Sequence, residues 1–305
     1  MKVAITTSSF AKFDPQPLDL LNHSGLELYL NPTGRKLKEN EIEAVVRDAD
    51  GIIAGTEPLT RTVLSGLTNL KVISRCGVGM DNVDIQAADE GGIEVYRTVG
   101  GVSAAVGELT IGLILNLLRK VSRMDRELRT GNWRKQMGNL LEGKKVGIVG
   151  FGSIGQKVGA LLKGFNTERA YYDVKLQDTR VPYKDLDALI AWADIITLHC
   201  SAGAGDKPLI GESEIACMSK GSWLVNAARG GVVDEAALVT ALKNGHLAGA
   251  AIDVFDEEPY QGGLAHLENV IVTPHIGSYA VEDRIRMELM SVENLLKGLG
   301  LKEPG

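Results

Sequence analysis

The sequence is poor in cysteine, in aromatic residues and in net charge. Its three cysteines, Cys76, Cys200 and Cys217, lie far apart and form neither a CxxC pair nor a zinc-site spacing, so we expect a reduced chain, a cytoplasmic location and no metal. Aromatic residues make up 5% of the chain, which argues against a stacking surface for carbohydrate or single-stranded nucleic acid. The 33 Lys and Arg against 39 Asp and Glu give a formal charge of −6, which offers no electrostatic attraction to nucleic acid or an anionic membrane.

Long hydrophobic runs are also missing. The longest apolar stretch, residues 102–118, contains Glu108 and is shorter than the ~20 residues that a membrane span needs, so it predicts a buried helix. The apolar part of residues 1–10 is too short for a signal peptide. A chain of 305 residues with 44% hydrophobic and 24% charged residues is instead typical of a soluble globular protein of about two domains.

Glycine, by contrast, is abundant, and short apolar runs recur along the whole chain. The 36 glycines are about 12% of the residues, against ~7% in an average protein. Most of the runs are apolar throughout rather than alternating, which is typical of parallel strands buried on both faces. Helical patterns separate them, and this predicts an α/β protein with two doubly wound parallel sheets. The predicted strands are residues 2–6, 26–31, 51–56, 71–75, 93–98, 145–150, 169–173, 194–200, 222–228, 247–255 and 269–274.

A glycine-rich turn in the middle of the chain carries the most informative pattern. An apolar strand runs into Gly150-x-Gly152-x-x-Gly155, an amphipathic helix follows, and Asp173 ends the next strand eighteen residues after Gly155. Glycines at this spacing permit a tight turn, a close approach of pyrophosphate and close packing of helix on strand. An acid at the position of Asp173 binds the adenosine ribose and repels a 2′-phosphate, so the pattern favours NAD over NADP. About 100 residues of α/β pattern precede the turn, so the cofactor domain is predicted to be inserted between pieces of another domain.

Four polar residues follow strands further along the chain. Arg229, Asp253, Glu258 and His275 stand at or near predicted strand ends, where ligands bind in open α/β sheets. An arginine suits recognition of a carboxylate, and a histidine paired with a carboxylate suits proton transfer near neutral pH. Each residue alone has a structural alternative: a surface arginine after a turn, a solvated acidic run around Glu258, or a structural histidine.

Five motifs stand in order along the chain: RCGVGMDNVD at residues 75–84, VGFGSIG at 149–155, NAARGGVVD at 226–234, DVFDEEP at 253–259 and TPHIG at 273–277. Together they resemble the D-isomer-specific 2-hydroxyacid dehydrogenases, and most closely the D-3-phosphoglycerate dehydrogenase branch. The resemblance implies a Rossmann NAD-binding domain, residues 99–278, inserted into a flavodoxin-like substrate-binding domain, residues 1–98 and 279–305. The terminal helix then returns to the first domain, and a homodimer that buries residues 102–118 is expected.

The resemblance also implies roles for individual residues. Arg229 binds the substrate carboxylate, His275 is the acid/base, and Glu258 is its partner. Asp253 holds the nicotinamide carboxamide, and Arg75 matches a position that contacts a substrate phosphate. Backbone N–H groups of Val78 and Gly79 bind the substrate carboxylate. The remaining implied cofactor contacts are Gly150, Gly152, Ser153, Ile154, Gly155 and Asp173 in the first half of the site, and Thr98, Ser201, Ala227, Gly277 and Ser278 in the nicotinamide half.

Two departures from the family pattern leave the substrate open. Residues 97–102 read RTVGGV where the family usually has Asn-Thr-Pro-x-x-Asn, and Ser201 stands where the family has proline, in a glycine-rich loop of residues 201–205. The roles of Arg97 and of this loop stay undecided. Interconversion of 3-phosphoglycerate and 3-phosphohydroxypyruvate, a step of serine biosynthesis, is the first expectation, without a regulatory domain. The alternatives are a glyoxylate/hydroxypyruvate reductase, another D-2-hydroxyacid dehydrogenase, or a non-enzymatic, NAD-sensing protein like the C-terminal-binding corepressors.

Overall fold

The chain folds into two compact units, each built around one parallel sheet. The computed structural model describes residues 1–201 and 207–301. One unit comprises Met1–Val102 and Ser278–Gly305, and the other comprises Ser103–Gly277. Within the described residues, no helix is long and apolar enough to cross a membrane.

The first unit contains a five-stranded parallel sheet. Its strands lie in the order β2-β1-β3-β4-β5, which reverses direction between β1 and β3, as in flavodoxin-like sheets. Ile52 and Ile73 are fully buried in the middle strands, because helices cover both faces of the sheet. The strands are β1 (Lys2–Ile5), β2 (Glu27–Leu30), β3 (Gly51–Ala54), β4 (Val72–Arg75) and β5 (Glu94–Arg97), and the first helices are α1 (Gln16–His23), α2 (Glu39–Val46), α3 (Arg61–Ser65) and α4 (Ile85–Glu90).

The second unit contains a six-stranded parallel sheet. Its order is β11-β10-β9-β8-β6-β7, with the reversal between β6 and β8. The strands are β6 (Lys145–Val149), β7 (Glu168–Tyr172), β8 (Ile195–Leu198), β9 (Ser222–Asn226), β10 (Leu247–Ile252) and β11 (Val270–Val272). The helices are α5 (Ser103–Arg119), α6 (Val121–Arg129), α7 (Ser153–Lys163), α8 (Leu186–Trp192), α9 (Glu212–Cys217) and α10 (Glu235–Lys243), and a 3₁₀ turn spans Gly263–His266. The predicted fold class is confirmed, and each of the eleven predicted runs overlaps one strand.

The long apolar stretch forms α5, as predicted, and one side of this helix is buried within its own unit. Val106, Ile114 and Leu118 are at most 5% exposed, and the helix packs on α7 and on β9, β10 and β11. Glu108 and Gly112 lie on the exposed side. The helix that follows, α6, has no buried residue.

The terminal helix α11 (Val281–Gly298) packs in the first unit, on α1 and on β3, β4 and β5. Along this helix, Val292 and Leu296 are buried, whereas Ile285 and Leu289 are half-buried. Glu288 is fully buried as well, because its carboxylate accepts hydrogen bonds from Ala11 N at 2.9 Å and from Arg284 Nε at 2.7 Å. The buried side of α11 therefore includes a charged residue.

Candidate active site

The glycine-rich turn lies between β6 and α7, at the reversal of the second sheet. Gly150 has φ +86°, and a Cβ there would lie 2.6 Å from the Cys200 nitrogen, so a side chain is excluded by both conformation and space. A Cβ on Gly155 would overlap the carbonyl oxygen of Gly150, and this close approach brings α7 against the turn. At Gly152 nothing lies within 4 Å of the Cβ position, which leaves the backbone open to a ligand.

The N-terminus of α7 completes a site that suits a pyrophosphate. The helix begins at Ser153, and its N-cap Gly152 has no side chain to satisfy the first N–H groups, which include those of Ser153 and Ile154. Such groups and the helix dipole favour an anion. The residues present therefore fit the phosphates of a dinucleotide.

Asp173 follows β7 beside this turn. Its Oδ2 accepts a hydrogen bond from Phe151 N at 2.6 Å, and its Oδ1 accepts one from Lys175 N at 3.0 Å. Each carboxylate oxygen has two acceptor positions, so both keep capacity for a ribose hydroxyl. The acid thus fits the predicted ribose contact and also ties β7 to the glycine-rich turn, a structural role that the spacing alone did not indicate.

His275 and Glu258 form a pair after β11 and β10. The imidazole Nδ1 lies 2.9 Å and 3.1 Å from the two carboxylate oxygens of Glu258, and Phe255 N donates to Glu258 Oε1 at 3.2 Å. The carboxylate accepts, so Nδ1 carries the hydrogen and Nε2 is left as the second ring nitrogen. Among the described residues, Nε2 has no hydrogen-bond partner. The side chains of His275 and Glu258 are 46% and 39% exposed, so this nitrogen is accessible to a substrate.

Asp253 fixes the loop that carries the histidine. It is 1% exposed, and it accepts hydrogen bonds from Thr273 Oγ1 at 2.6 Å, Ile276 N at 2.9 Å and Gly277 N at 2.8 Å. Burial raises the pKa of Asp253 above the usual value for an aspartate, although these hydrogen bonds oppose the shift. His275 itself adopts φ +53°, a conformation that is costly for a residue with a side chain, and the anchored positions on either side hold it there.

Arg229 lies in a short loop after β9. Asn226 holds this loop with both polar atoms of its side chain. Its Nδ2 donates to Arg229 O at 3.1 Å, and its Oδ1 accepts from Ala228 N at 3.1 Å. The Arg229 guanidinium donates to Ala228 O at 2.7 Å. Ala227, the residue before Ala228, is buried.

The loop of Arg229 is fastened to the segment that carries Glu258. A Cβ on Gly230 would overlap the Phe255 carbonyl, and Gly231 N donates to Asp256 Oδ1 at 2.6 Å. The acidic run 256–258 is therefore not simply solvated, because two of its three side chains hold specific groups of the second unit. Arg229, Glu258 and His275 consequently stand on loops that share hydrogen-bonded neighbours.

The predicted substrate residues Val78 and Gly79 follow β4. Among the described residues, the N–H groups of Val78 and Gly79 make no hydrogen bond, so they are available for an anion such as a carboxylate. Thr98, predicted as a cofactor contact, follows β5 and is fully buried, and its Oγ1 has no partner within the described part of the chain. Ser278 is half-buried and Ser201 is exposed, whereas the rest of the glycine-rich loop after Ser201 falls on residues 202–206, outside the described residues.

Arg75 does not present an open guanidinium in the first unit. It is 7% exposed, and it donates to Asn82 Oδ1 at 3.2 Å from Nε and to Cys76 O at 2.5 Å from Nη1. A Cβ on Gly77 would overlap the same guanidinium, so the chain is built closely around it. These contacts show that Arg75 holds the loop 75–84 together, a role that the motif alone did not reveal.

Comparison with known proteins decides the family. The profile described as "D-isomer specific 2-hydroxyacid dehydrogenase, NAD binding domain" matches residues 111–277. A hydroxypyruvate reductase of Thermotoga maritima is 35% identical over 92% of this chain and 94% of its own. The chain belongs to the D-isomer-specific 2-hydroxyacid dehydrogenase family. As a member of this family, it is an NAD-dependent oxidoreductase with the NAD-binding domain in its second unit, and the predicted cofactor is confirmed.

Other relatives of this dehydrogenase support the fold but differ in named activity. A D-3-phosphoglycerate dehydrogenase of Archaeoglobus fulgidus is 35% identical over 94% of this chain and 56% of its own length. A solved structure from Thermus thermophilus has a TM-score of 0.92 and 36% identity, and it covers 100% of this chain and 99% of that chain. The names of the relatives thus include both phosphorylated and unphosphorylated substrates, so they leave the substrate open.

One buried acid of the first unit escaped the sequence analysis. Glu57 comes three residues after β3 and is 1% exposed, although it stands in the polar segment that ends the strand. The only signal in the sequence was an acid within a few residues of the carboxyl end of a predicted parallel strand, the same signal that drew attention to Glu258.

Proposed function

We propose that this dehydrogenase interconverts a D-2-hydroxy acid and its 2-oxo acid, with His275 as the acid/base, Glu258 as its partner and Arg229 as the ligand of the substrate carboxylate. The observation that carries the proposal is the hydrogen-bonded pair of His275 Nδ1 and Glu258, at 2.9 Å, which leaves Nε2 as the proton-transferring atom. The cofactor NAD, when bound, exchanges a hydride with the substrate carbon.

The chain's own residues supply position and proton transfer. In oxidation, neutral His275 accepts the hydroxyl proton at Nε2, and in reduction the protonated ring returns a proton to the carbonyl oxygen. Glu258 keeps the ring oriented by accepting the hydrogen bond from Nδ1. Arg229 binds the carboxylate and polarises the neighbouring carbonyl. Reduction of the 2-oxo acid is therefore expected to be favoured at lower pH.

The substrate that we favour is a short, unphosphorylated 2-oxo acid of the hydroxypyruvate type. The expectation of 3-phosphohydroxypyruvate rested on the resemblance to the D-3-phosphoglycerate dehydrogenase branch, with Arg75 as its main local support. The guanidinium of Arg75 is buried and bonded to Asn82 and Cys76. Relatives of comparable identity are named hydroxypyruvate reductase and glyoxylate reductase, which supports the alternative. The phosphorylated substrate, and with it a place in serine biosynthesis, stays a prediction for the experiment to decide.

The test compares substrates and one arginine variant. We expect NADH-dependent reduction of hydroxypyruvate with a larger kcat/KM than that of 3-phosphohydroxypyruvate. Arg75→Ala should lower activity on both substrates by a similar factor and lower the melting temperature, because Arg75 holds the loop 75–84. Arg47→Ala, at an exposed arginine of the same unit, is the control. A tens-fold rise in KM confined to the phosphorylated substrate would restore the phosphoglycerate assignment.

We further propose that residues 1–98 and 279–305 bind the substrate, that residues 99–278 bind NAD, and that the protein works in the cytoplasm as a homodimer. The two compact units divide within a few residues of these boundaries. All three cysteines are free thiols in the structure, which suits a reducing compartment.

A further inference from the structure

We propose that Glu57 and Thr7 form a subsite that recognises a hydrogen-bond donor, a hydroxyl or amino group, at the end of the substrate remote from its carboxylate. This inference rests on the proposed function and specifies the substrate class within it. The subsite comprises Thr7, Gly55 and Glu57, all in the first unit, and we call it the switch-point subsite.

The location is the first support. Thr7 follows β1, and Gly55 and Glu57 follow β3, so the three residues flank the point at which the strand order of the first sheet reverses. In open α/β sheets, ligands bind outside the carboxyl ends of the strands at this reversal. The motifs that identified the dehydrogenase family include none of these residues.

The hydrogen bonding of Glu57 is the second support. Its Oε1 accepts a hydrogen bond from the Thr6 hydroxyl and another from Gly55 N at 2.9 Å. Its Oε2 has no hydrogen-bond partner among the described residues, and none of the salt bridges formed by those residues includes Glu57. A carboxylate can accept about four hydrogen bonds. Oε2 is not among the enclosed side-chain atoms that lack a partner in the described residues, so a donor from outside the chain can reach it. A ligand that donates to Oε2 would supply the hydrogen bond that the described residues do not.

Thr7 is an independent sign of a missing group at the same place. It is 7% exposed, and its Oγ1 has no hydrogen-bond partner within the described chain. Buried hydroxyls are normally paired, so an unpaired one calls for an explanation.

Gly55 links these two residues. A Cβ on Gly55 would lie 2.8 Å from Glu57 Oε2 and 3.5 Å from Thr7 Cγ2, so the absence of a side chain leaves space against both. Glu57 Oε2 and the side chain of Thr7 therefore border one small region.

Asn82 connects the subsite to the loop that offers N–H groups to a carboxylate. Its Nδ2 donates to Glu57 O at 2.7 Å and to Gly55 O at 3.2 Å, and Leu59 N donates back to Asn82 O at 2.7 Å. Val78 and Gly79 belong to the same loop as Asn82. If the carboxylate of a 2-oxo acid binds to these N–H groups, the other end of the acid needs a second binding region. The switch-point subsite is a polar region of the same unit that suits this end.

The chemistry of the subsite selects between substrates. A carboxylate oxygen attracts a hydroxyl or ammonium donor and repels a phosphate. Hydroxypyruvate has a hydroxyl at C3, glyoxylate has nothing at that position, and 3-phosphohydroxypyruvate carries a dianion there. The subsite therefore favours the hydroxylated or aminated 2-oxo acid over the other two.

Glu57→Gln is the decisive variant, because it keeps an oxygen for Thr6 and Gly55 and replaces the other oxygen by an amide donor. We expect the KM for hydroxypyruvate to rise about 10- to 100-fold, the range of a lost hydrogen bond to a charged group. The KM for glyoxylate should change less than twofold, and the ratio of kcat/KM for 3-phosphohydroxypyruvate to that for hydroxypyruvate should rise. Glu43→Gln, at an exposed acid of the same unit, should change none of these values.

Thr7→Val provides a second measurement that does not depend on how well the glutamine variant folds. Because the hydroxyl is buried without a partner, its removal should leave the melting temperature unchanged or raise it, while the KM for hydroxypyruvate rises and that for glyoxylate does not. If Glu57→Gln and Thr7→Val impair glyoxylate and hydroxypyruvate equally, the inference is wrong and the proposed function stands. If the wild-type enzyme reduces none of the three acids with NADH, the proposed function fails and the inference fails with it.

Discussion

At the scale of single residues, the candidate active site is defined by which atoms are already bonded and which are not. His275 Nδ1 bonds to Glu258, and Nε2 has no partner within residues 1–201 and 207–301, whereas both oxygens of Asp253 bond to the loop that carries the histidine. Glu258 and Asp253 both stand near strand ends, and both were candidates in the sequence. Their different roles become visible only from the hydrogen bonds, because Asp253 is buried among backbone N–H groups and Glu258 is exposed beside an imidazole.

The first prediction concerns His275. Its replacement by alanine should reduce kcat by about 10²- to 10⁴-fold, the usual cost of removing a general acid/base. The affinity for NADH, measured by fluorescence titration, should change less than twofold, because the glycine-rich turn and Asp173 do not contact His275. His23→Ala, at an exposed histidine of α1, is the control. A variant that retains a tenth or more of the wild-type kcat would exclude His275 as the acid/base.

The second prediction concerns Asp253. In Asp253→Asn one oxygen becomes an amide donor, so at least one of the hydrogen bonds from Thr273, Ile276 and Gly277 is lost, at a cost of roughly 1–3 kcal/mol. We expect a lower melting temperature and a fall in kcat, because the loop no longer holds His275 in its left-handed conformation. Asp256→Asn, which retains an oxygen acceptor for Gly231, should lower the melting temperature less. An unchanged kcat in Asp253→Asn would mean that the loop is held by other contacts.

At the scale of elements, the sequence predicted the strands better than the burial of charged residues. Parallel strands buried on both sides are apolar throughout, and this signal is local, so all eleven were found. The burial of Glu288 on α11 was missed because it depends on Ala11, almost the whole chain away. The burial of Arg75 was missed for the same reason: a charged residue is hidden when its partners are supplied by the fold, and an apolar pattern does not reveal those partners.

The third prediction belongs to the turn between β6 and α7. NAD should be preferred over NADP by at least about tenfold in kcat/KM, or ~1.4 kcal/mol, because the Asp173 carboxylate lies beside the glycine-rich turn and repels a 2′-phosphate. Asp173→Asn keeps an acceptor but removes the charge, so the preference should shrink. Asp178→Asn, at an exposed acid five positions after Asp173, should leave the preference unchanged. Equal kcat/KM for the two cofactors in the wild type would contradict the assignment.

At the scale of the whole molecule, buried groups link stability to pH. His199 follows β8, and its Nε2 lies 2.9 Å from Thr197 Oγ1. Its Nδ1 is buried and has no hydrogen-bond partner in the part of the chain that the structure describes. Burial lowers the pKa of His199 to about 3, against an ordinary value of 6.5. Between these two values the unfolded chain binds a proton that the folded protein does not, so stability falls as the pH drops from 6.5 towards 3.

The fourth prediction follows from this loss of stability at low pH. The melting temperature of the wild type should fall between pH 7 and pH 4.5, and His199→Gln should fall less over the same interval, because glutamine takes up no proton. Differential scanning fluorimetry at a series of pH values measures both slopes, and His23→Gln is the surface control. Parallel slopes for His199→Gln and the wild type would show that other groups carry the acid sensitivity.

The last prediction concerns the proposed homodimer. An open groove of about 610 Å³ runs along the exposed side of α5, and its lining includes Leu109, Gly112 and Asn116 of that helix together with Leu267 and Val272. In the same unit, Trp133 and Met137 are 79% and 89% exposed, and exposed apolar side chains of this size favour association with a second copy.

Gly112 allows a test that leaves the protomer intact. No atom of the described residues lies within 4 Å of its Cβ position, so a side chain can start there without a clash, and a long one would occupy the groove that a second copy would fill. Gly112→Arg should therefore give a monomer by light scattering at micromolar concentration, and Gly112→Ala should stay dimeric and gain up to about 1 kcal/mol from helix propensity. A monomeric wild type would contradict the homodimer, and a dimer that tolerates the arginine would place the contact between copies away from α5.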